Sequence, residues 1–125
     1  PGVVAGRLAR PAFVAVSDLP LAEALRRAAA TGRSAVVLGV DGRPSAVLSD
    51  ALLAAVPDTR RPWVPLSSVT ERVTSTLDAG LQGEQLLRVL REQPGSAYLV
   101  MDGGRFVGVL RASDVAARLR GRSAA

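Results

Sequence analysis

The sequence predicts an α/β (α+β) fold made of two copies of one small unit. The first observation behind that prediction is a repeat at constant offset. Ser34 and Ser96, Gly42 and Gly104, Arg43 and Arg105, Val47 and Val109, and Leu48 and Leu110 all stand 62 residues apart, with no gap needed between Leu19 and Ala55. The second is the stretch from Tyr98 to Val115, YLVMDGGRFVGVLRASDV, with a weaker copy from Val36 to Leu53, VVLGVDGRPSAVLSDALL. Each reads as an apolar strand, a Gly-containing turn, a second apolar strand and a helix, the later one opened by Ser113-Asp114. The third is composition: 48% of residues are hydrophobic but only 3% aromatic, so the core must be Val, Leu and Ala. A period this long is no solenoid unit. It suits two folded copies related by a pseudo-twofold axis around a shared apolar interior.

The bounds are narrow. At 125 residues the chain makes one compact domain or two half-domains that need each other, because a unit of about 60 residues buries too little surface alone. There is no cysteine and no histidine. Disulfides, Cys/His metal sites and a Ser-His-Asp triad are thereby excluded. The net charge of +5 comes from sixteen arginines and no lysine. They are scattered, with only Arg26-Arg27 and Arg60-Arg61 adjacent and a looser group at Arg118, Arg120 and Arg122. Nucleic-acid binders cluster their charge on one face, so there is no strong case for nucleic acid. No apolar run approaches the roughly 18 residues of a membrane span, and no signal peptide is visible. Starting at Pro1, the chain reads as a fragment.

Taken in order, residues 1–10 read as a linker with at most a helical turn. Pro11 opens a strand over Ala12 to Val16, where a first-residue proline is tolerated. Asp18 is the expected cap of a helix with Pro20 in its first turn. Leu21, Leu25, Ala28 and Ala29 form its apolar stripe and Gly32 its stop. Val36–Leu38 and Ala46–Leu48 should form a hairpin around Asp41-Gly42. Ser49 or Asp50 then caps a short helix that ends before Pro57. Residues 58–66, rich in Pro and Arg, join the copies, and Trp63 either packs between the halves, the favoured use, or sits on a partner. Upstream of Leu81 the offset is lost, since Pro11 and Pro65 lie 54 apart. Residues 67–79 are ambiguous, with helical spacing of Val69, Val73 and Leu77 but strand-favouring threonines. Beyond them come a helix carrying Leu86, Leu87 and Leu90, strands at Ala97–Met101 and Phe106–Leu110, and a closing helix from Ser113 to Leu119. Residues 121–125 should fray. The division is thus repeat 1 over 11–57 and repeat 2 over 67–120.

Each copy reads strand, helix, strand, turn, strand, helix. At that point Gly108-Val-Leu-Arg-Ala-Ser-Asp114 resembles the signature of cystathionine-β-synthase (CBS) domains: glycine, two apolar residues, Ser/Thr, two variable positions, then Asp before a helix. The likeness covers residues 11–119, and the tandem arrangement is a habit of that family. It implies two intertwined β-α-β-β-α repeats. More narrowly, Leu8-Ala-Arg-Pro-Ala-Phe-Val-Ala-Val-Ser17 and the Arg-Pro-Trp63 junction look like the C-terminal CBS pair of actinobacterial site-2-type intramembrane zinc proteases. That likeness implies an upstream membrane protease domain holding the zinc, with this segment as its regulatory tail on the cytoplasmic side.

CBS pairs bind adenosine-containing ligands such as AMP, ADP or ATP, with the signature Ser/Thr and Asp on the ribose hydroxyls. Carried over residue by residue, the resemblance gives one candidate ligand site from Val109, Arg111, Ser113 and Asp114 with Ser34 and Ala35. Asp114 matches the ribose carboxylate, but Arg111 stands at the Ser/Thr position. A weaker second cleft joins Ser49 with Ser96 and Ala97, and Leu52 stands where its acid should be. Plainer readings stay open beside these. Asp114 stabilises a helix start by about 0.3–1 kcal/mol through the dipole alone, Ser49 and Ser113 are ordinary caps, and Arg111 is a solvated side chain. Three functions follow in order: a regulatory or sensory homodimeric module of a membrane protease, a ligand-free structural dimerisation module, and a nucleic-acid binder. An enzyme is disfavoured, because the hydroxyls have no imidazole base.

Overall fold

A computed structural model describes residues 3–124, with side chains as far as Gly121. Pro1 and Gly2 of the expected linker and Ala125 of the expected frayed tail lie outside the described residues. In chain order the elements are α1 (Ala5–Leu8), β1 (Ala12–Ala15), α2 (Leu21–Ala30), β2 (Ala35–Val40), β3 (Arg43–Leu48) and α3 (Asp50–Ala54). Two short 3-10 helices follow, Asp58–Trp63 and Leu66–Val69. Then come β4 (Thr70–Arg72), β5 (Thr76–Asp78), α4 (Gly83–Glu92), β6 (Ala97–Asp102), β7 (Arg105–Arg111) and α5 (Ala112–Ala124). Mixed α+β architecture and two β-α-β-β-α copies are what the repeat predicted.

The chain forms two compact units. One is Pro11–Val73; the other combines the residues up to Arg10 with those from Thr74 onward. In the first, β1 and β2 are parallel and joined through α2, β3 returns antiparallel, and β4 covers its outer edge, giving the order β1-β2-β3-β4. In the second the order is β5-β6-β7. A parallel pair needs a crossover and an antiparallel pair only a tight turn, which is why each copy has one helix and one two-residue turn between its strands. Both turns place two successive residues at positive φ: Asp41 at 52° and Gly42 at 77°, Gly103 at 58° and Gly104 at 85°. That is the type I′ geometry, whose twist matches the flanking strands.

Register preserves the duplication throughout. Val37↔Val47 and Leu38↔Ala46 in one hairpin become Leu99↔Val109 and Val100↔Gly108 in the other. The irregularity after Leu38 reappears after Val100. The offset also survives upstream of Leu81, contrary to expectation, because Val14↔Val37 and Ala15↔Leu38 become Thr76↔Leu99 and Leu77↔Val100. The sequence hides this because Thr76–Asp78 has neither the length nor the apolar run of Ala12–Ala15.

Each unit has its own core cluster, where the sequence suggested one interior common to both copies. In the first unit Leu21, Ala24 and Leu66 are fully buried and pack with Ala15, Ala28, Val36, Leu48 and Val69. In the second, Leu77, Leu86, Tyr98, Val100, Leu110 and Val115 pack with Val3 and Ala5 from the leading segment. Burying a Leu or Val side chain contributes about 1.5–3 kcal/mol, so these residues dominate each unit's stability. Tyr98 is buried whole, and its hydroxyl donates to the Gln93 carbonyl at 2.6 Å.

Several local expectations change. Asp18 does not cap α2, whose N-cap is Pro20. It accepts instead from the Ser67 amide at 3.1 Å and the Ser67 hydroxyl at 3.0 Å, tying down the segment that was ambiguous. That segment is the second 3-10 helix, β4 and β5, so residues 67–73 complete the first unit and the second copy's strands start at Thr76. The residues read as a linker before Pro11 include α1 and lie in the second unit, where Ala5 and Gly6 donate to the carbonyls of Leu81 and Ala79 at 2.8 and 2.9 Å. Each copy's third strand is therefore covered by the segment that leads into the other copy. Trp63, expected to pack, is 81% exposed. The closing helix runs past Leu119 to Ala124.

Candidate functional site

The site is built on the end of β7 and the start of α5. Val109 is fully buried and aligns the strand. On its outer side it exchanges two main-chain hydrogen bonds with Arg10: the Arg10 amide donates to the Val109 carbonyl at 2.8 Å and the Val109 amide to the Arg10 carbonyl at 3.0 Å. Gly108 permits that approach. A Cβ there would sit 2.5 Å from the Arg10 carbonyl oxygen, closer than real Cβ atoms come. The corresponding residue of the first copy is Ala46, which faces Arg72 of β4 in an ordinary ladder. One signature glycine is thus explained sterically and has no counterpart need in the other copy.

Arg10 then reaches Asp114. Its Nε donates to Oδ2 at 2.7 Å and an Nη to Oδ1 at 2.8 Å, a side-on bidentate pair between residues 104 apart in sequence. The side chains are 43% and 25% exposed. Asp114 occupies the first turn of α5, where the helix dipole favours a carboxylate. The Arg10 hydrogen bonds hold its carboxyl below the usual aspartate range; burial opposes them in part, and the charges of Arg10 and Arg111 each add a smaller lowering. Nothing in the sequence singled out Arg10, one arginine among sixteen. Only the long-range pairing reveals it.

The remaining candidates fall as follows. Arg111 is half-buried and registers with Ala97 across the β6–β7 ladder. Ser96 accepts from the Ala112 amide through its carbonyl at 3.0 Å. Ser96 and Ala97 of the weaker cleft therefore lie in the same unit as Val109, Arg111, Ser113 and Asp114. Ser113 is not a cap: it is the second residue of α5 and exposed. Ser49 is a cap, accepting from the Leu52 amide at 3.2 Å, and it is buried. Leu52, in the acid's place, is exposed. Ser34 and Ala35 belong to the unit of residues 11–73 with Ser49; Ser34 is exposed, and Ala35 is buried and registered with Ala12.

Chemically, the second unit offers a depressed, half-exposed carboxylate on a helix start with two guanidinium groups near it. A carboxylate so placed accepts hydroxyl protons and does not act as an acid near neutrality. Among the described residues no group of three His, Cys, Asp or Glu side chains is placed to hold a metal ion, and no helix is long and apolar enough to cross a membrane. The adjacent Arg26-Arg27 pair is engaged by Glu23, whose carboxyl its two partners, Arg26 first, hold down to about 2.

No family model matches the sequence, and no curated protein matches it significantly. Solved structures do. An uncharacterized conserved protein from Pyrococcus horikoshii superposes with a TM-score of 0.63 at 17% identity, over 95% of this chain and 93% of that one. The CBS domain of a bacterial CNNM/CorC family Mg2+ transporter, solved in complex with ATP, gives 0.63 at 17% over 95% and 88%. CBSX2, solved in complex with AMP, gives 0.58 at 18% over 97% and 99%. With two β-α-β-β-α copies in identical register and these neighbours over nearly its whole length, the chain has the fold of the CBS-domain proteins.

Proposed function

We propose that this chain is a regulatory CBS-type module that binds an adenosine-type ligand through the ribose, with Asp114 as the hydroxyl-accepting carboxylate. The observation that carries the reading is the position of Asp114: a depressed carboxylate on the first turn of the helix that follows the signature strand. Two structural neighbours were solved with AMP and with ATP, which supports the ligand class. Arg111 supplies positive charge beside it for a phosphate. The module is not itself catalytic. It acts through differential affinity of the ligand for two arrangements of the protein, and it self-associates as a homodimer.

The attachment to a site-2-type membrane zinc metalloprotease, with this module on the cytoplasmic side, is the finer part of the proposal. It rests on the sequence likeness of residues 8–17 and 61–63 alone. Encoded residues preceding Pro1 that lacked apolar spans and an HExxH motif would remove it.

The ligand is tested by thermal shift and calorimetry with AMP, ADP, ATP and S-adenosylmethionine, on the wild type and Asp114→Ala. A saturable shift lost in the variant is expected. No shift at millimolar ligand sinks the nucleotide reading and leaves ligand-free dimerisation. That second reading is favoured by Trp63, a large apolar side chain 81% exposed between two prolines.

A further inference from the structure

We propose that Arg10 is an internal competitor for the Asp114 carboxylate, so that a ligand with a vicinal diol binds only after the guanidinium has swung away. This rests on the nucleotide reading above and specifies what controls that site. A guanidinium that donates side-on to both oxygens takes the two carboxylate directions that also suit a bidentate diol. Arg10 makes that contact at 2.7 and 2.8 Å. Diol and guanidinium therefore exclude each other at Asp114.

The pair is built to open locally. The Arg10 side chain is 43% exposed, so water takes up its donors when it leaves. Its main chain stays fixed through the two bonds to Val109, and the rest of the leading segment is pinned at Leu81 and Ala79. Gly108 sets how closely Arg10 approaches, because a side chain there would meet the Arg10 carbonyl at 2.5 Å. Two independent changes, one to the guanidinium and one to the strand beneath it, should therefore free the carboxylate.

The test titrates the full chain with AMP and with 2′-deoxyadenosine 5′-monophosphate by calorimetry, for the wild type, Arg10→Met and Gly108→Ala. If the closed pair holds nine-tenths of the population, opening it tightens AMP binding about tenfold. Both variants should show that gain for AMP and none for the deoxy compound. In the wild type, saturation with AMP should move the Arg10 Nε–H resonance to the position of a solvated arginine. Gly108→Ala carries the test if Arg10→Met does not fold. AMP binding by the wild type with equal or weaker binding by the variants overturns the competition and leaves the nucleotide reading standing. Equal gains for both nucleotides overturn the role of the diol. No AMP binding by any of the three proteins overturns both readings together.

Discussion

Ala24 and Leu86 occupy the same position on corresponding helices, 62 residues apart, and both are fully buried. One turn earlier the sizes reverse: the first copy has the buried Leu21 and the second has Gly83. The two cores thus keep one backbone and distribute their side chains differently. Ala24→Leu should overpack its unit and cost about 1–3 kcal/mol. Leu86→Ala should leave a cavity and cost about 2–5 kcal/mol. Urea unfolding measures both, and a neutral Ala24→Leu would show that the helix can move away from its sheet.

Gly108 and Ala46 are equivalent in sequence but not in tolerance. Gly108→Ala should break the close approach of Arg10 and its two main-chain bonds, at about 0.5–1.5 kcal/mol each. Ala46→Gly should cost only about 0.5–1 kcal/mol through chain entropy. Amide exchange at Val109 should accelerate in the first variant and stay unchanged in the second.

The Arg10–Asp114 pair gives a pH signature. The folded carboxyl titrates below the ordinary aspartate value of 3.8, so its stabilisation is complete above that pH. It disappears as pH falls through the lower folded value. Because both side chains are partly exposed and screened by water, the contribution should be about 0.5–1 kcal/mol. The stability gap between wild type and Asp114→Asn should be constant from about pH 5 upward and should close in stronger acid. A gap that widens in acid would contradict the pairing.

Tyr98→Phe keeps the ring and removes one hydrogen bond, leaving the Gln93 carbonyl at the end of α4 without that donor. The expected loss is about 0.5–1.5 kcal/mol. Burial also raises the phenol above its usual range, so its ultraviolet titration should lag that of free tyrosine.

Trp63→Ala should change monomer stability by less than about 0.5 kcal/mol, as for other exposed positions. As the sole tryptophan, Trp63 also reports on association. Its quenching by acrylamide should fall with rising protein concentration if it lies in a homodimer face, and sedimentation should show the same transition.

Much of the fold was legible because duplication repeats its own evidence. The Asp41-Gly42 and Gly103-Gly104 turns, the apolar runs beside them and the stripes of α2 and α4 each confirm the other copy. Elements that differ between copies were not legible. Thr76–Asp78 is three residues long, with the single apolar Leu77 between two polar residues, too little for a strand pattern. Asp18 carries the side chain of a cap but is drawn to Ser67, a partner 49 residues away. Ser113 has the side chain of a cap but lies inside its helix. At the site, Asp114 was readable from its signature and Arg10 was not, because a side-chain pair spanning most of the chain leaves no periodicity.

The crossed leading segments bear on how such a molecule arises and how it breaks. A single-copy precursor with this connectivity has a bare strand edge that only a second molecule's leading peptide can cover, so it is obliged to dimerise by exchange. Fusion of two genes makes that trade intramolecular. By the same logic, severing the chain at Pro57 yields halves that each still carry the other's missing strand cover, and they should find one another again when mixed.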